Sequence, residues 1–140
     1  MTASGPLVLI VDDFQDNREM YAIFLEHSGY RVAEAANGFE ALERAFELGP
    51  DVIVMDLSLP GLDGWEATRR LKADTRTKHI PVLALTSHAL GGFSEGAKAA
   101  GCDGFVTKPC LPDQLVSEIR TLLRDKKPKS RTSTSRTRET

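Results

Sequence analysis

Five short apolar runs, each followed by an amphipathic stretch, constrain this chain more than any other feature. Leu7-Val8-Leu9-Ile10-Val11 is almost wholly β-branched or Leu and does not alternate with polar residues, the pattern of a strand covered on both faces. Asp51-Val52-Ile53-Val54-Met55 and Pro81-Val82-Leu83-Ala84-Leu85 repeat that character. Tyr30-Arg31-Val32-Ala33-Glu34 and Gly104-Phe105-Val106-Thr107 are shorter and more mixed, which predicts positions nearer the edges of a sheet. Between the runs, mostly apolar residues fall at spacings near three and four: Met20, Ile23, Phe24 and His27, then Ala41, Leu42, Ala45 and Phe46, then Trp65, Thr68, Arg69 and Leu71, and finally Leu115, Ile119, Leu122 and Leu123. Such stripes predict helices, and strands alternating with helices predict a parallel sheet with helices packed on it, in a (βα)5 order. Gly29, Asn37-Gly38, Gly49-Pro50, Pro60-Gly61 and Gly101 mark the boundaries. A helix expected over roughly 92–100 is the weakest, since Gly91, Gly92 and Gly96 each cost about 1 kcal/mol relative to Ala.

The chain of 140 residues is 41% hydrophobic and 27% charged, a composition that buries a core and excludes collagen-like and disordered classes. It divides into a short N-terminal extension over 1–6, one domain over 7–124 and a basic, Ser/Thr-rich tail over 125–140. No apolar run approaches the roughly 20 residues that span a bilayer, and the first six residues do not read as a secretory signal, so a cytoplasmic location is expected. Residues 126–140 carry six Lys or Arg against one Glu, and residues 1–125 carry twelve basic against nineteen acidic residues, so an acidic body precedes a basic tail. With no hydrophobic residue from Lys126 to Arg138, the tail cannot bury a face. A nucleic-acid arm is one reading of it. The acidic body and the lack of interleaved aromatics favour a solvated or membrane-proximal segment. Cys102 and Cys110 form no CxxC pair and are expected to be reduced thiols. His27 and His79 have no second ligand spaced for a metal.

In a parallel α/β sheet the functional site lies beyond the carboxyl ends of the strands. The first run ends in Asp12-Asp13, the third in Asp56, the fourth in Thr86-Ser87 and the fifth in Thr107-Lys108-Pro109. Three carboxylates, a hydroxyl and an ammonium therefore converge on one rim. Carboxylates so close repel one another unless a cation shares the site, and hard oxygen ligands without His or Cys favour Mg²⁺. A carboxylate nucleophile with a divalent ion, a lysine and a hydroxyl donor around it suits phosphoryl transfer.

The segments Leu9-Ile10-Val11-Asp12-Asp13, Val54-Met55-Asp56-Leu57-Ser58-Leu59-Pro60-Gly61-Leu62-Asp63-Gly64, Ile80-Pro81-Val82-Leu83-Ala84-Leu85-Thr86-Ser87 and Gly101-Cys102-Asp103-Gly104-Phe105-Val106-Thr107-Lys108-Pro109 resemble, in order and spacing, the successive motifs of the response-regulator receiver domain of two-component signalling. The resemblance covers roughly residues 7–124. It implies a doubly wound, five-stranded parallel sheet of flavodoxin-like order 2-1-3-4-5. It implies that Asp56 is the phosphoacceptor, that Asp12, Asp13, Asp56 and the backbone carbonyl of Ser58 hold Mg²⁺, and that Thr86 and Lys108 contact the phosphoryl group. The Lys108-Pro109 bond is expected to be cis, a form that is cheap only before proline. Phe105 occupies the place of the family's switch aromatic, acting with Thr86. Ser58 and His88 stand where the family tunes the phosphorylated lifetime, and an imidazole at 88 would make that lifetime depend on pH.

The same resemblance implies a histidine kinase or phosphotransfer protein as donor, met by the first helix and its preceding loop, with Phe14, Gln15, Asn17, Arg18 and Tyr21 as candidate contacts. Output is expected from the surface made by the helix over 92–100, the fifth strand and the last helix, toward an unidentified protein and without a DNA-binding domain. The domain is expected to act as a monomer or a phosphorylation-dependent dimer, and not as an enzyme with a separate substrate. An aspartyl-nucleophile phosphatase of the haloacid dehalogenase kind fits less well, because it needs a second acid where Ser58 stands. A phosphorylation-independent binding module is the other rival, although such receivers usually lose one of the acidic residues, Thr or Lys, and all are present here.

Overall fold

The computed structural model describes residues 5–57, 64–86, 101–107 and 111–126. In chain order these form β1 (Leu7–Val11), α1 (Gln15–His27), β2 (Arg31–Ala35), α2 (Gly38–Leu48), β3 (Val52–Asp56), α3 (Gly64–Ala73), β4 (Val82–Thr86), β5 (Gly104–Thr107) and α4 (Pro112–Lys126). The expected helix over 92–100, the Pro60-Gly61 boundary, Cys110 and residues 127–140 lie outside the described residues.

The strands make one five-stranded sheet in the order β2-β1-β3-β4-β5, and every pairing is parallel. The two mixed runs are thus the edges, as their sequences predict. In the three central strands side chains alternate between two cores. Leu9, Val11, Ile53, Met55, Val82 and Ala84 join Ala41 and Ala45 of α2 and Ala67 and Leu71 of α3 on one face. Val8, Ile10, Val52, Val54, Leu83 and Leu85 join Tyr21 and Leu25 of α1 and Leu115 and Ile119 of α4 on the other. Both faces are buried, which is why these runs carry no polar alternation. Each such Leu, Ile or Val contributes about 1.5–3 kcal/mol of transfer free energy.

The turns follow their residues. Asn37 caps α2 by accepting the Glu40 backbone N–H at 2.9 Å, and the Glu40 carboxylate reaches back to accept the Ala36 N–H at 2.7 Å. Gly49 closes the helix in the left-handed region at φ 58°, and its N–H donates to Ala45 O. Ahead of β1, Gly5 and Pro6 are already tied to β2: the Arg31 N–H donates to Pro6 O at 2.9 Å and the Arg31 side chain to Gly5 O at 2.8 Å.

The α1 stripe faces differently from expectation, and those of α2 and α3 depart at one residue each. On α1 the buried residues are Tyr21, Ala22 and Leu25, while Met20, Ile23 and His27 face solvent and only Phe24 of the predicted stripe packs inward. On α3, Arg69 is exposed and paired with Glu66 at 2.7 Å, and Ala67 takes the inward place. On α2, Phe46 lies outside the core with the Arg76 guanidinium 4.2 Å from its ring centre. The α4 stripe is as predicted: Leu115 and Ile119 are fully buried, with Leu122 and Leu123 packed against their cluster. No helix among the described residues is long and apolar enough to cross a membrane.

Candidate functional site

Parallel pairing puts the carboxyl ends of β1 and β3 side by side, with Val11 opposite Met55, so the residues that follow these positions emerge together. Asp12 is fully buried and Asp56 is 2% exposed, while Asp13 stands in solvent beside them. One carboxylate oxygen from each of Asp12, Asp13 and Asp56 lies within 4.8 Å of the other two. At that separation two unit charges repel by about 3 kcal/mol at an effective dielectric of roughly 20. Such a set is a poor structural element by itself and a good one around a small hard cation. Its donors are all oxygen, the chemistry Mg²⁺ takes.

Backbone and side-chain bonds hold Asp12 in place. One of its oxygens accepts the Phe14 N–H at 2.9 Å and the other faces the Asn17 amide nitrogen at 3.5 Å. Its N–H donates to Ala35 O at 3.1 Å, stitching it to the end of β2. The Arg18 guanidinium donates to Asp12 O at 2.8 Å and to the Glu34 carboxylate at 3.1 Å. This last group is one that sequence reasoning assigned to partner recognition. With 15% of its side chain exposed, Arg18 braces the metal-side loop against β2. The sequence places Arg18 at helical spacing with Tyr21, Ala22 and Leu25, but only the packing of α1 shows that this is the inward side.

Gly64, the first residue of α3, was read only as part of a motif, and it has a steric role at the acceptor. A Cβ there would run into the carbonyl oxygen of Asp56 and lie 2.8 Å from Leu57 Cα. Only glycine lets the start of α3 approach the backbone that presents Asp56.

On the other side of Asp56, β4 is registered with Asp56 opposite Leu85, so the backbone of Thr86 reaches the same rim one residue further on. Thr86 pairs with Thr107, the residue before Lys108. Phe105, in β5 opposite Ala84, is 38% exposed. Of the candidate kinase contacts, Phe14 is 63% exposed and Gln15 is in solvent. Asn17 and Arg18 are engaged with Asp12. Tyr21 is 5% exposed and packs with Val8, Ile10 and Leu25, so it is a core residue rather than a surface contact. Ser58, His88, Lys108 and Pro109 lie outside the described residues.

Cys102, just before β5, is a free thiol whose pKa is pushed up, first by burial. It belongs to the packing against the α2 and α3 core, in agreement with the reduced thiol expected from the sequence.

With this geometry in hand, comparison with known proteins is specific. Residues 8–120 match the model of the response regulator receiver domain. The polar-differentiation response regulator DivK of Brucella anthropi is 38% identical over 118 residues, covering 84% of this chain and 96% of that protein. The solved structure of the Vibrio cholerae chemotaxis protein CheY4 superimposes with a TM-score of 0.81 at 32% identity, covering 84% of this chain and 98% of that one. The receiver domain of a sensor histidine kinase from Pseudomonas aeruginosa, solved with a magnesium ion coordinated in its active-site cleft, is 34% identical with a TM-score of 0.75, covering 87% of this chain and 97% of its own.

Proposed function

Because this chain belongs to the response regulator receiver domain family, whose acidic pocket binds Mg²⁺, we propose that Asp56 accepts a phosphoryl group from a histidine kinase or phosphotransfer protein. The observation that carries the reading is the placement of Asp56. It is a nearly buried carboxylate at the end of a central strand, with oxygens of two further acids within 4.8 Å. Asp12, Asp13, Asp56 and the carbonyl of Ser58 are the residues that would hold the ion. When bound, Mg²⁺ offsets the charge gathered by the carboxylates and the incoming phosphoryl oxygens.

In the proposed step a carboxylate oxygen of Asp56 attacks phosphorus. The bond to the donor's imidazole nitrogen breaks as the new P–O bond forms, and the electron pair leaves with the donor. Burial of Asp56 favours this, because a desolvated carboxylate fixed on a strand needs little reorganisation to meet the phosphoryl group. Lys108, following β5, would neutralise a phosphoryl oxygen, and the Thr86 hydroxyl would donate to another. Movement of Thr86 toward that oxygen would free space for Phe105, whose ring is partly in solvent and carries no hydroxyl to desolvate. The phosphorylated population would then differ in what it binds on the surface shared by residues 92–100, β5 and α4. Ser58 and His88 are the proposed tuners of the phosphorylated lifetime, and Phe14 and Gln15 remain the solvent-facing candidates for donor contact.

The test is incubation with acetyl phosphate and Mg²⁺, read by intact mass. The expected result is a gain of one phosphoryl group by the wild type and none by Asp56→Asn, or by the wild type in EDTA. Equal modification of Asp56→Asn, or none of the wild type under any metal condition, would overturn the assignment and favour a module that binds partners without phosphorylation.

A further inference from the structure

The net charge of −2 conceals a division that lies within the folded body itself. Residues 1–51 hold ten Asp or Glu and three Arg, a net of −7, whereas residues 52–125 hold nine acidic and nine basic residues and are neutral. The tail that follows carries +5. All of the uncompensated acidity therefore belongs to the β1-α1-β2-α2 half.

Within that half, α1 presents an outward stripe that the core leaves uncovered. Asp16, Glu19, Met20, Ile23 and Glu26 recur at helical spacing on its solvent side, and all are exposed. Among the described residues no Lys or Arg pairs with Asp16, Glu19 or Glu26, and Arg18, the one Lys or Arg of α1, is turned inward to Asp12 and Glu34. Met20 and Ile23, 46% and 67% exposed, line a shallow groove of about 260 Å³ with Phe24, His27 and Pro112. Carboxylates flanking an apolar strip suit Lys and Arg, whose aliphatic stems lie on apolar surface while their heads reach the charges.

We propose that residues 127–140 of this chain dock on this outward face of α1. The point of departure favours it. The tail leaves the end of α4, which packs against α1 in the same core, and both helices run away from the same rim of the sheet. Fourteen residues extend up to about 46 Å, more than twice the roughly 20 Å length of the 13-residue α1. The other acidic helix, α2, lies on the opposite face of the sheet, and its Glu40 is already spent on the Ala36 N–H. Docking would cover the helix on which the phosphoryl donor is proposed to land, so the tail would compete with the donor. That consequence rests on the proposed function, whereas the docking itself does not.

The experiment compares amide spectra of the ¹⁵N-labelled full chain with those of K127Q/K129Q/R131Q/R136Q/R138Q. Amides of residues 16, 19, 20, 23 and 26 are expected to differ between the two. The difference should fall several-fold between about 0.05 M and about 1 M NaCl, as the screening length drops to roughly 3 Å, and should persist on tenfold dilution. D16N/E19Q/E26Q, three exposed and near-isosteric changes, should abolish the effect of the tail charges, and Asp56→Asn should leave it intact. Unchanged α1 amides, changes confined to β2 and α2, or changes that vanish on dilution as for a second copy, would each overturn the proposal. A chain that fails to take phosphate but shows the α1 shifts would overturn the phosphoacceptor reading alone.

Discussion

Removing the charge of Asp56 should stabilise the metal-free fold while abolishing its chemistry. Asp56 faces two carboxylates within 4.8 Å, and each pair repels by about 3 kcal/mol at an effective dielectric of roughly 20. The gross relief in Asp56→Asn is thus on the order of 6 kcal/mol. Solvent beside the exposed Asp13 screens one of the pairs, and exchanging one carboxylate oxygen for an amide costs about 1 kcal/mol in altered hydrogen bonding. A net gain of about 1–3 kcal/mol remains, which corresponds to roughly 3–10 °C in Tm for a domain of this size. The assay is urea denaturation at pH 7 in EDTA, repeated with saturating Mg²⁺. The ion stabilises whichever fold binds it more tightly, so the wild type should gain more from Mg²⁺ than the variant, and the gap should narrow or reverse. If Asp56→Asn were no more stable than wild type in EDTA, or both gained equally from Mg²⁺, the three acids would not form a charged cation site and the electrostatic argument would fail.

Two further outcomes follow from local geometry. Gly64→Ala should cost about 1–3 kcal/mol in chemical denaturation, because its Cβ must push against the Asp56 carbonyl and Leu57 Cα, and it should slow acetyl phosphate labelling; wild-type stability would show that α3 yields freely. Hydrogen bonds from the side chain and then the backbone of Arg76 hold the Asp74 carboxyl down to about 2 from an ordinary 3.8. The folded value lies below the unfolded one, so the stability this pair adds is complete above about pH 4 and is lost as pH falls through 2; side-chain carbon shifts should titrate near 2 in wild type and at a higher pH in Arg76→Ala, which loses the side-chain bond and keeps the backbone one.

Much of the candidate site was legible because hydrophobic strands and acidic strand ends are local facts. An unalternating run such as Leu7–Val11 can be stable only if both its faces are buried, and the residue that follows a strand buried in this way must emerge at the sheet's rim. Asp12, Asp13 and Asp56 could therefore be gathered from the chain alone, as could the edge positions of β2 and β5.

The orientation of α1 could not. Two sets of residues on that helix fit helical spacing, Met20, Ile23, Phe24 and His27 on one side and Tyr21, Ala22 and Leu25 on another. Hydrophobicity favours neither decisively. Which side is buried depends on where α4 and the sheet lie, a matter of contacts between residues nearly a hundred positions apart. The same packing turned Arg18 inward to Asp12 and Glu34, buried Tyr21 in the core, and required glycine at 64 because the start of α3 comes to rest against the Asp56 backbone. Composition and periodicity determined which atoms would be needed at the rim. Only close packing of helices on the two faces decided which side chains brace those atoms and which remain for another molecule to meet, because burial is shared among elements that no local pattern brings together.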